Sequence, residues 1–174
     1  NFKLDKTVVK RRIKLMEDEG VVFKTNSHVG VDVALDKLRK EFDALVLCGG
    51  SQKPRDLAVE GRDLDGIHFA MDFLPQQNKR NEGDNIENPI LANGKNVLVI
   101  GGGDTGSDCL GTSLRQGAKN IYQFELLPEP PKNRAETNPW PQWPAVLRIS
   151  SSHDEAQKQV TQYCVSTKKF SGKN

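Results

Sequence analysis

The chain has 174 residues, of which 36% are hydrophobic and 28% charged, so it can bury the core of one or two domains. Its formal net charge of +2 comes from interspersed acids and bases, which argues against a nucleic-acid or membrane-surface partner. No stretch of about 18 apolar residues predicts a membrane span, and the N-terminal sequence lacks a signal-peptide core.

The first part of the chain begins with a predicted helix. Asp5 can cap a helix over residues 6–19, and Gly20 is a suitable residue to end it. Val21, Val22 and Phe23 are β-formers, so residues 21–23 are predicted to form a short strand. The chain starts without a methionine, and we expect it to be part of a longer protein.

A second predicted helix precedes an apolar run. Leu35, Leu38 and Phe42 have helical spacing, and residues 44–48 are continuously apolar before the pair Gly49–Gly50. A short apolar run that follows a helix and ends in turn residues is typical of a buried parallel strand. Residues 1–50 therefore predict a helix–strand–helix–strand order without a phosphate loop.

The middle of the chain is mostly polar. Residues 51–66 are punctuated by proline and glycine and are predicted to connect two domains. A short helix is expected around residues 69–74, whereas residues 76–89 contain almost no core residue and predict a mobile segment. Residues 127–144 form a loop rich in proline and tryptophan.

Residues 96–111, NVLVIGGGDTGSDCLG, place three consecutive glycines directly after an apolar strand over residues 97–100. A helix is predicted to follow and to end at Gly117, and a second strand is predicted over residues 121–125. This strand–turn–helix–strand order is the context in which a glycine-rich turn indicates dinucleotide binding.

The glycines of the turn fit the pattern G-x-G-x-x-G. The first permits a tight turn, the second lets the backbone approach a pyrophosphate, and the third allows close packing of helix on strand. Two alternatives remain: the turn can lack a ligand, and its polar residues can cap the helix rather than contact phosphate or ribose. The candidate binding residues of the turn are Gly101, Gly102, Gly103, Asp104, Thr105 and Gly106.

Glu125 indicates which dinucleotide the turn prefers. It lies 19 residues after Gly106 (125 − 106), where an acidic side chain can bind the ribose hydroxyls of the adenosine. A 2′-phosphate would be repelled by this carboxylate, and the nearest arginine after the strand is Arg134, in the loop. The sequence therefore favours NAD(H) over NADP(H), unless Glu125 points to solvent.

Several long segments resemble the flavin-dependent small (beta) subunit of glutamate synthase and the C-terminal region of NADH-dependent glutamate synthase. The resemblance covers nearly all of the chain and is more specific than the glycine pattern. The segments are KLDKTVVKRRIKLMEDEGVVFKTNSHVG, FDALVLCGGSQKPRDLAVEG, GIHFAMDFLPQQN, VIGGGDTGSDCLGTSLRQGAKNIYQFELLPEPP and NPWPQWPAVLR.

The resemblance implies an α/β fold: a Rossmann-like NAD(P)H-binding domain of a flavin oxidoreductase that binds two dinucleotides, plus an incomplete piece of its FAD domain. Residues 1–54 would be the C-terminal part of the first FAD-domain segment, with Gly49 and Gly50 passing near the flavin. Residues 55–174 would be the NAD(P)H-binding domain. Relatives that use NADPH tend to have an arginine pair at residues 124–126, which again favours NADH here.

The resemblance also implies the reaction. NAD(P)H would reduce FAD, and electrons would pass through iron–sulfur clusters to the FMN of the partner large subunit or domain, which carries the glutamine amidotransferase. Glutamine and 2-oxoglutarate would give two glutamates. The FAD-binding glycine motif and the cysteine clusters of the family are absent here, so we expect this chain alone to bind a dinucleotide but to be inactive.

Two rival functions remain open from the sequence. One is the reductase unit of a related flavin and iron–sulfur enzyme, resembling the front half of dihydropyrimidine dehydrogenase. The other is a nucleotide-sensing or structural Rossmann module without electron transfer. No catalytic side chain is nominated, because hydride transfer between a nicotinamide and a flavin needs stacked rings rather than an acid or base.

The other chemically versatile residues predict no further site. The histidines lack metal-ligand spacing and suit surface or capping positions, and Cys109 suits a core position better than a reactive thiol. The odd number of separated cysteines favours an intracellular protein. We expect it in the cytoplasm, with a plastid as the alternative in a eukaryote. Trp140 and Trp143 favour packing on a domain or partner over a proline-motif ligand. The histidines are His28, His68 and His153, and the other two cysteines are Cys48 and Cys164.

Overall fold

The computed structural model describes residues 4–51, 53–156 and 160–172, and the chain divides into two compact units, Asn1–Gln52 and Lys53–Asn174. The division lies two residues before the predicted domain boundary (53 against 55). Helices and a parallel sheet together make the fold α/β, as the sequence predicts.

The first unit contains two of the predicted helices, α1 (Lys6–Asp18) and α2 (Leu35–Glu41). The Asp5 side chain accepts a hydrogen bond of 2.7 Å from the Thr7 N–H, which caps α1 as expected. Gly20 follows α1 with a φ of +96°, a conformation that glycine adopts without steric cost. Both helix predictions are confirmed.

The two strands predicted in the first unit are wrong. Residues 21–23 and 44–48 are irregular, and Val22 and Leu47 are 76% and 92% exposed. A strand needs a neighbour to accept and donate its backbone hydrogen bonds. Within residues 4–51 the structure offers only an isolated bridge between Val29 and Val33, so neither apolar run has a partner.

The second unit contains a three-stranded parallel sheet in the order β1-β2-β3. Strands β1 and β2 pair in register from Asn96 with Asn120 to Ile100 with Phe124, so the predicted strand–turn–helix–strand unit is confirmed. A third, two-residue strand, which the sequence did not predict, pairs with β2. The elements are α3 (Ala70–Asn81), β1 (Asn96–Ile100), α4 (Asp104–Arg115), β2 (Asn120–Phe124), α5 (Ser151–Glu155) and β3 (Thr161–Gln162).

Two polar segments are more ordered than predicted. Residues 76–81 belong to α3, and the Gln76 side chain bonds both the N–H and the carbonyl of Ile90, at 2.9 and 2.8 Å. The predicted connector also contributes to the second unit, because the Phe170 N–H donates to the Glu60 carbonyl at 2.8 Å. Backbone and amide bonds thus order segments that contribute few apolar side chains.

Helix α4 is the central element of the second unit. It packs against α3, α5, β1 and β2. Its Cys109 joins one buried cluster with Phe73 and Val99, and its Leu110 joins another with Ile121 and Val160. Packing on both sides fixes the N-terminus of α4, and with it the turn that leads from β1 into the helix.

Candidate functional site

The turn between β1 and α4 begins where the sheet is still paired. The Gly101 N–H donates to the Phe124 carbonyl at 2.8 Å, and Gly101 then takes a φ of +119°. Few other residues adopt a positive φ, so a glycine at this position allows the chain to leave the strand and turn towards α4. The first glycine therefore has the local role that the sequence predicts for it.

The next part of the turn leaves an open backbone face at the start of α4. Gly103 precedes the helix, and a Cβ built on it would meet no atom within 4 Å. The first helical bond runs from the Ser107 N–H to the Gly103 carbonyl at 3.0 Å. Helix geometry leaves the preceding N–H groups without intrahelical acceptors and directs the positive end of the dipole outwards.

Asp104 and Thr105 lie exposed inside the first turn of α4. The capping position belongs to Gly103, which has no side chain, so neither residue occupies the position that the capping alternative requires. Asp104 is the acidic residue of the first turn, where a carboxylate interacts favourably with the helix dipole.

Gly106 is the point of closest approach in the turn. A Cβ built on it would lie 2.3 Å from the Gly101 carbonyl oxygen and 2.9 Å from Nε2 of Gln123. Both distances are shorter than a carbon atom tolerates, and the first involves backbone. Only glycine fits this position without moving the turn, so the third glycine of the motif brings α4 close to both β1 and β2.

Gln123 of β2 stabilises the glycine turn through its side chain. Its side chain is completely buried, and its Nε2 donates to the Gly101 carbonyl at 2.8 Å. Its Oε1 accepts from Oγ1 of Thr161 at 2.8 Å and contacts Nε2 of His153 at 2.7 Å. One amide thus connects the glycine turn with β3 and α5. Gln123 was not predicted as a site residue, although its spacing from the buried Ile121 places both on one face of the strand.

His153 completes this network. The Gln123 oxygen can only accept, so Nε2 of His153 carries the proton, and Nδ1 can then accept from Oγ of Ser150 at 2.7 Å. Burial lowers the pKa of His153, with an opposing effect of the Asp154 charge, and favours this neutral form. His153 lies two positions after the start of α5, and Ser150 directly precedes the helix.

Glu125 turns back onto the glycine turn. Its Oε2 accepts the Gly102 N–H at 2.5 Å and its Oε1 accepts the Leu127 N–H at 2.8 Å. Two backbone bonds fix the carboxylate at the end of β2, directly beside the turn. A carboxylate has about four acceptor positions, so each oxygen keeps one for a hydroxyl group of a ligand.

A cavity of about 420 Å³ begins beside the turn. Gly102 forms one wall of it, and the loop before α5 contributes Arg148. Tyr163 lies on the strand side, where burial and the charges of Glu129 and Glu125 raise the pKa of its phenol. The cavity therefore lies at the carboxyl ends of β2 and β3, where parallel sheets of this kind bind ligands.

A second cavity, of about 270 Å³, lies along β1 and α3. Apolar side chains such as Phe73 and Val99 line it, and none of the turn's glycines does. His68, Lys95 and Ser113 also line this cavity, but most of its lining side chains are apolar and suit core packing. The cavity beside Gly102 is therefore the better candidate for a nucleotide.

Cys109 is a core residue, as the sequence favours. It packs with Phe73 and Val99, and burial together with the charge of Asp108 raises the pKa of its thiol to about 11. A thiol with so high a pKa is not a nucleophile at neutral pH. The described ranges contain no group of three or more His, Cys, Asp or Glu side chains that could hold a metal ion.

The glycine pair that the sequence predicts to lie near the flavin is exposed in the first unit. Gly49 and Gly50 are exposed on an irregular segment, and a Cβ on either would meet nothing within 4 Å. Across residues 4–51, 53–156 and 160–172, no helix is both long enough and apolar enough to cross a membrane.

Curated proteins similar to this chain match nearly its whole length. A "Glutamate synthase [NADPH] small chain" from Mycobacterium tuberculosis is 47% identical over 98% of this chain and 36% of its own length. The Bacillus subtilis protein of the same name is 45% identical over the same shares. "Glutamate synthase [NADH]" from Schizosaccharomyces pombe is 53% identical over 98% of this chain and 8% of its own length.

The chain thus spans about a third of the small chains that it matches, and a smaller part of the yeast protein. A comparison with models of protein families finds no match. The relatives carry both NADPH and NADH in their names, so similarity alone does not select the coenzyme. The resemblance found in the sequence is nevertheless confirmed: the chain corresponds to one region of the glutamate synthase small chain and of NADH glutamate synthase.

Proposed function

We propose that the turn Gly101–Gly106 binds the diphosphate of a nicotinamide dinucleotide, and that the complete protein is a glutamate synthase in which this coenzyme reduces FAD. The observation that carries the proposal is the open face of Gly103 at the N-terminus of α4. Backbone N–H groups at a helix N-terminus bind phosphate oxygens by hydrogen bonds and by the helix dipole. A glycine there leaves room for the diphosphate itself.

The binding residues in this proposal act mainly through their backbone. Gly101 and Gly106 shape the turn, and the Gly102 N–H holds the carboxylate of Glu125 beside it. Gly103 and the first residues of α4, Asp104 and Thr105, form the contact surface for the diphosphate. When bound, the coenzyme supplies the hydride. The protein orients it and excludes water, so no acidic or basic side chain is needed.

Glu125 favours NADH over NADPH in this proposal. Its carboxylate is fixed by the Gly102 and Leu127 N–H groups, so it cannot swing away from the adenosine ribose without losing both bonds. Its remaining acceptor positions suit ribose hydroxyls. A 2′-phosphate at the same place would meet a negative charge.

Isothermal titration of the 174-residue chain with NADH and NADPH tests this proposal. We expect NADH to bind more tightly, and Glu125→Arg to narrow or reverse the preference because it replaces a repelling charge with an attracting one. Glu136→Gln, an exposed charge in the loop, is a control that should leave both affinities unchanged. Equal affinities of the unmodified chain for the two coenzymes would contradict the assigned preference.

The names of the relatives support a role for the complete protein. The relatives from Mycobacterium tuberculosis, Bacillus subtilis and Schizosaccharomyces pombe are all named NADPH or NADH glutamate synthases, and the name "small chain" supports a larger partner. We infer that this partner carries the glutamine amidotransferase and FMN, that iron–sulfur clusters lie in other parts of the protein, and that Gly49 and Gly50 pass near FAD. Reduction would then support formation of two glutamates from glutamine and 2-oxoglutarate inside the cell.

The rival functions receive less support. The relatives at 45–53% identity are named glutamate synthases, which favours that enzyme over a reductase unit like that of dihydropyrimidine dehydrogenase. Their names also favour an enzyme over a nucleotide-sensing module. Reduction of FAD by NADH in the full-length protein would distinguish the enzyme from the sensing module.

A further inference from the structure

We propose that Arg148 binds the 2′-phosphate of NADPH and thereby sets how strongly this site discriminates between the two coenzymes. This inference rests on the proposed function, because it requires the coenzyme diphosphate at the glycine turn. Arg148 is not among the site residues predicted from the sequence. The cavity beside Gly102 and the contacts of Arg148 support this inference.

The cavity is the space that an adenosine would enter from the turn. Gly102 is both part of the turn and part of the cavity wall, and its N–H contacts the carboxylate of Glu125. A ribose joined to a diphosphate at the turn would therefore lie at the mouth of this cavity. Arg148 lines the same cavity, which places this residue near a group carried by that ribose.

Arg148 is supported by an aromatic ring rather than by an acid. Its Cζ lies 4.4 Å from the centre of the Trp143 ring, a cation–π contact that orients the planar guanidinium. Among the described residues, no carboxylate forms an ion pair with it. A guanidinium that is oriented but not neutralised retains its donors for a phosphate, which it can bind through two parallel hydrogen bonds.

Arg134 is nearer to Glu125 in the sequence than Arg148 is, but its contacts make it a poor candidate to bind the 2′-phosphate. Nη1 of Arg134 donates to the carbonyls of Asn138 and Gln142, at 2.9 and 3.0 Å, and holds the loop closed. Leu147 returns to the start of the loop, where its N–H donates to the Pro131 carbonyl at 2.8 Å. This return brings Arg148, 23 residues after Glu125 (148 − 125), to the cavity at the end of β2.

The charges around the cavity oppose one another. Glu125 beside Gly102 and Glu129 in the wall disfavour a 2′-phosphate, whereas Arg148 favours it. NADH carries no 2′-phosphate for Arg148 to bind, whereas its ribose hydroxyls suit the carboxylate of Glu125. Arg148 should therefore affect the affinity for NADPH and leave that for NADH nearly unchanged, which separates a specificity role from a purely structural one.

The test is isothermal titration of the 174-residue chain with both coenzymes. For Arg148→Ala we expect the Kd for NADPH to rise about tenfold and the Kd for NADH to stay within about twofold. Arg148→Lys, which keeps the charge but not the forked donors, should lie between Arg148→Ala and the unmodified chain for NADPH. Arg39→Ala, in α2, removes one positive charge elsewhere and should change neither affinity.

The outcomes separate this inference from the proposed function. If Arg148→Ala weakens both coenzymes equally, or neither, while the unmodified chain binds them, Arg148 does not recognise the 2′-phosphate. If the unmodified chain binds neither coenzyme, both the proposed function and this inference are overturned. A selective loss of NADPH affinity, with a melting temperature close to that of the unmodified chain, supports the inference.

Discussion

Replacing Gly106 with alanine is expected to weaken NADH binding at least about tenfold and to destabilise the chain by about 1–3 kcal/mol. The added Cβ would lie 2.3 Å from the Gly101 carbonyl oxygen, and this atom is backbone that cannot rotate away. The turn must therefore move, and the N–H groups that it presents to the diphosphate move with it. Titration calorimetry and thermal unfolding measure the two effects.

Gly103→Ala separates the loss of binding from the loss of stability. Its Cβ meets nothing within 4 Å, so the unfolding temperature should not fall, yet the methyl group would occupy the face proposed for the diphosphate. Gly49→Ala, also unobstructed but in the first unit, should change neither property. Unchanged NADH affinity in Gly103→Ala would contradict the placement of the diphosphate.

Replacing Gln123 with leucine is expected to destabilise the chain by about 3 kcal/mol and to weaken NADH binding as well. The substitution removes the donor to Gly101 and the acceptor that serves Thr161 and His153. Each buried polar group left without a partner costs about 1–3 kcal/mol. Chemical denaturation of the variant and the unmodified chain gives the difference in unfolding free energy.

Gln123→Glu isolates the bond to the turn. The introduced carboxyl keeps acceptors for Thr161 and His153, but when ionised it cannot donate to the Gly101 carbonyl. Burial raises the pKa of a carboxyl group, so this variant should be closest to the unmodified chain at low pH and lose stability relative to it as pH rises. A stability difference that does not depend on pH would show that the donated bond does not support the turn.

The glycine turn could be predicted from the sequence because its signals are local. The apolar run before Gly101, the spacing of the glycines and the stop at Gly117 all lie within about one supersecondary unit. Local propensity and packing agree there, since α4 connects β1 and β2, packs against both, and the two strands pair with each other. Neighbours close in sequence supplied every partner that the prediction needed.

The strand predictions for residues 21–23 and 44–48 were wrong because these segments have no pairing partner close in sequence. Apolar composition indicates only that a segment can be buried, whereas a strand requires a partner strand at a suitable distance. The structure gives these runs none within residues 4–51. Conversely, β3 has two residues and forms because β2 offers a free edge, which composition cannot reveal.

The support of the turn could not be predicted either. Gln123, Thr161 and His153 are 38 residues apart at most (161 − 123), and only the paired strands and α5 bring their polar atoms together. The one sequence signal for this network was Gln123, a polar residue at a core-facing position of β2. Arg148 is a similar case, because the folding of its loop determines that it reaches the cavity.

A crystal structure of the chain with NADH tests the central claim most directly. We predict the diphosphate within hydrogen-bond distance of the backbone N–H groups at the start of α4, over the open face of Gly103, with the adenosine ribose beside Glu125. A structure in which the coenzyme binds elsewhere, or in which a neighbouring side chain fills the turn, would contradict the account.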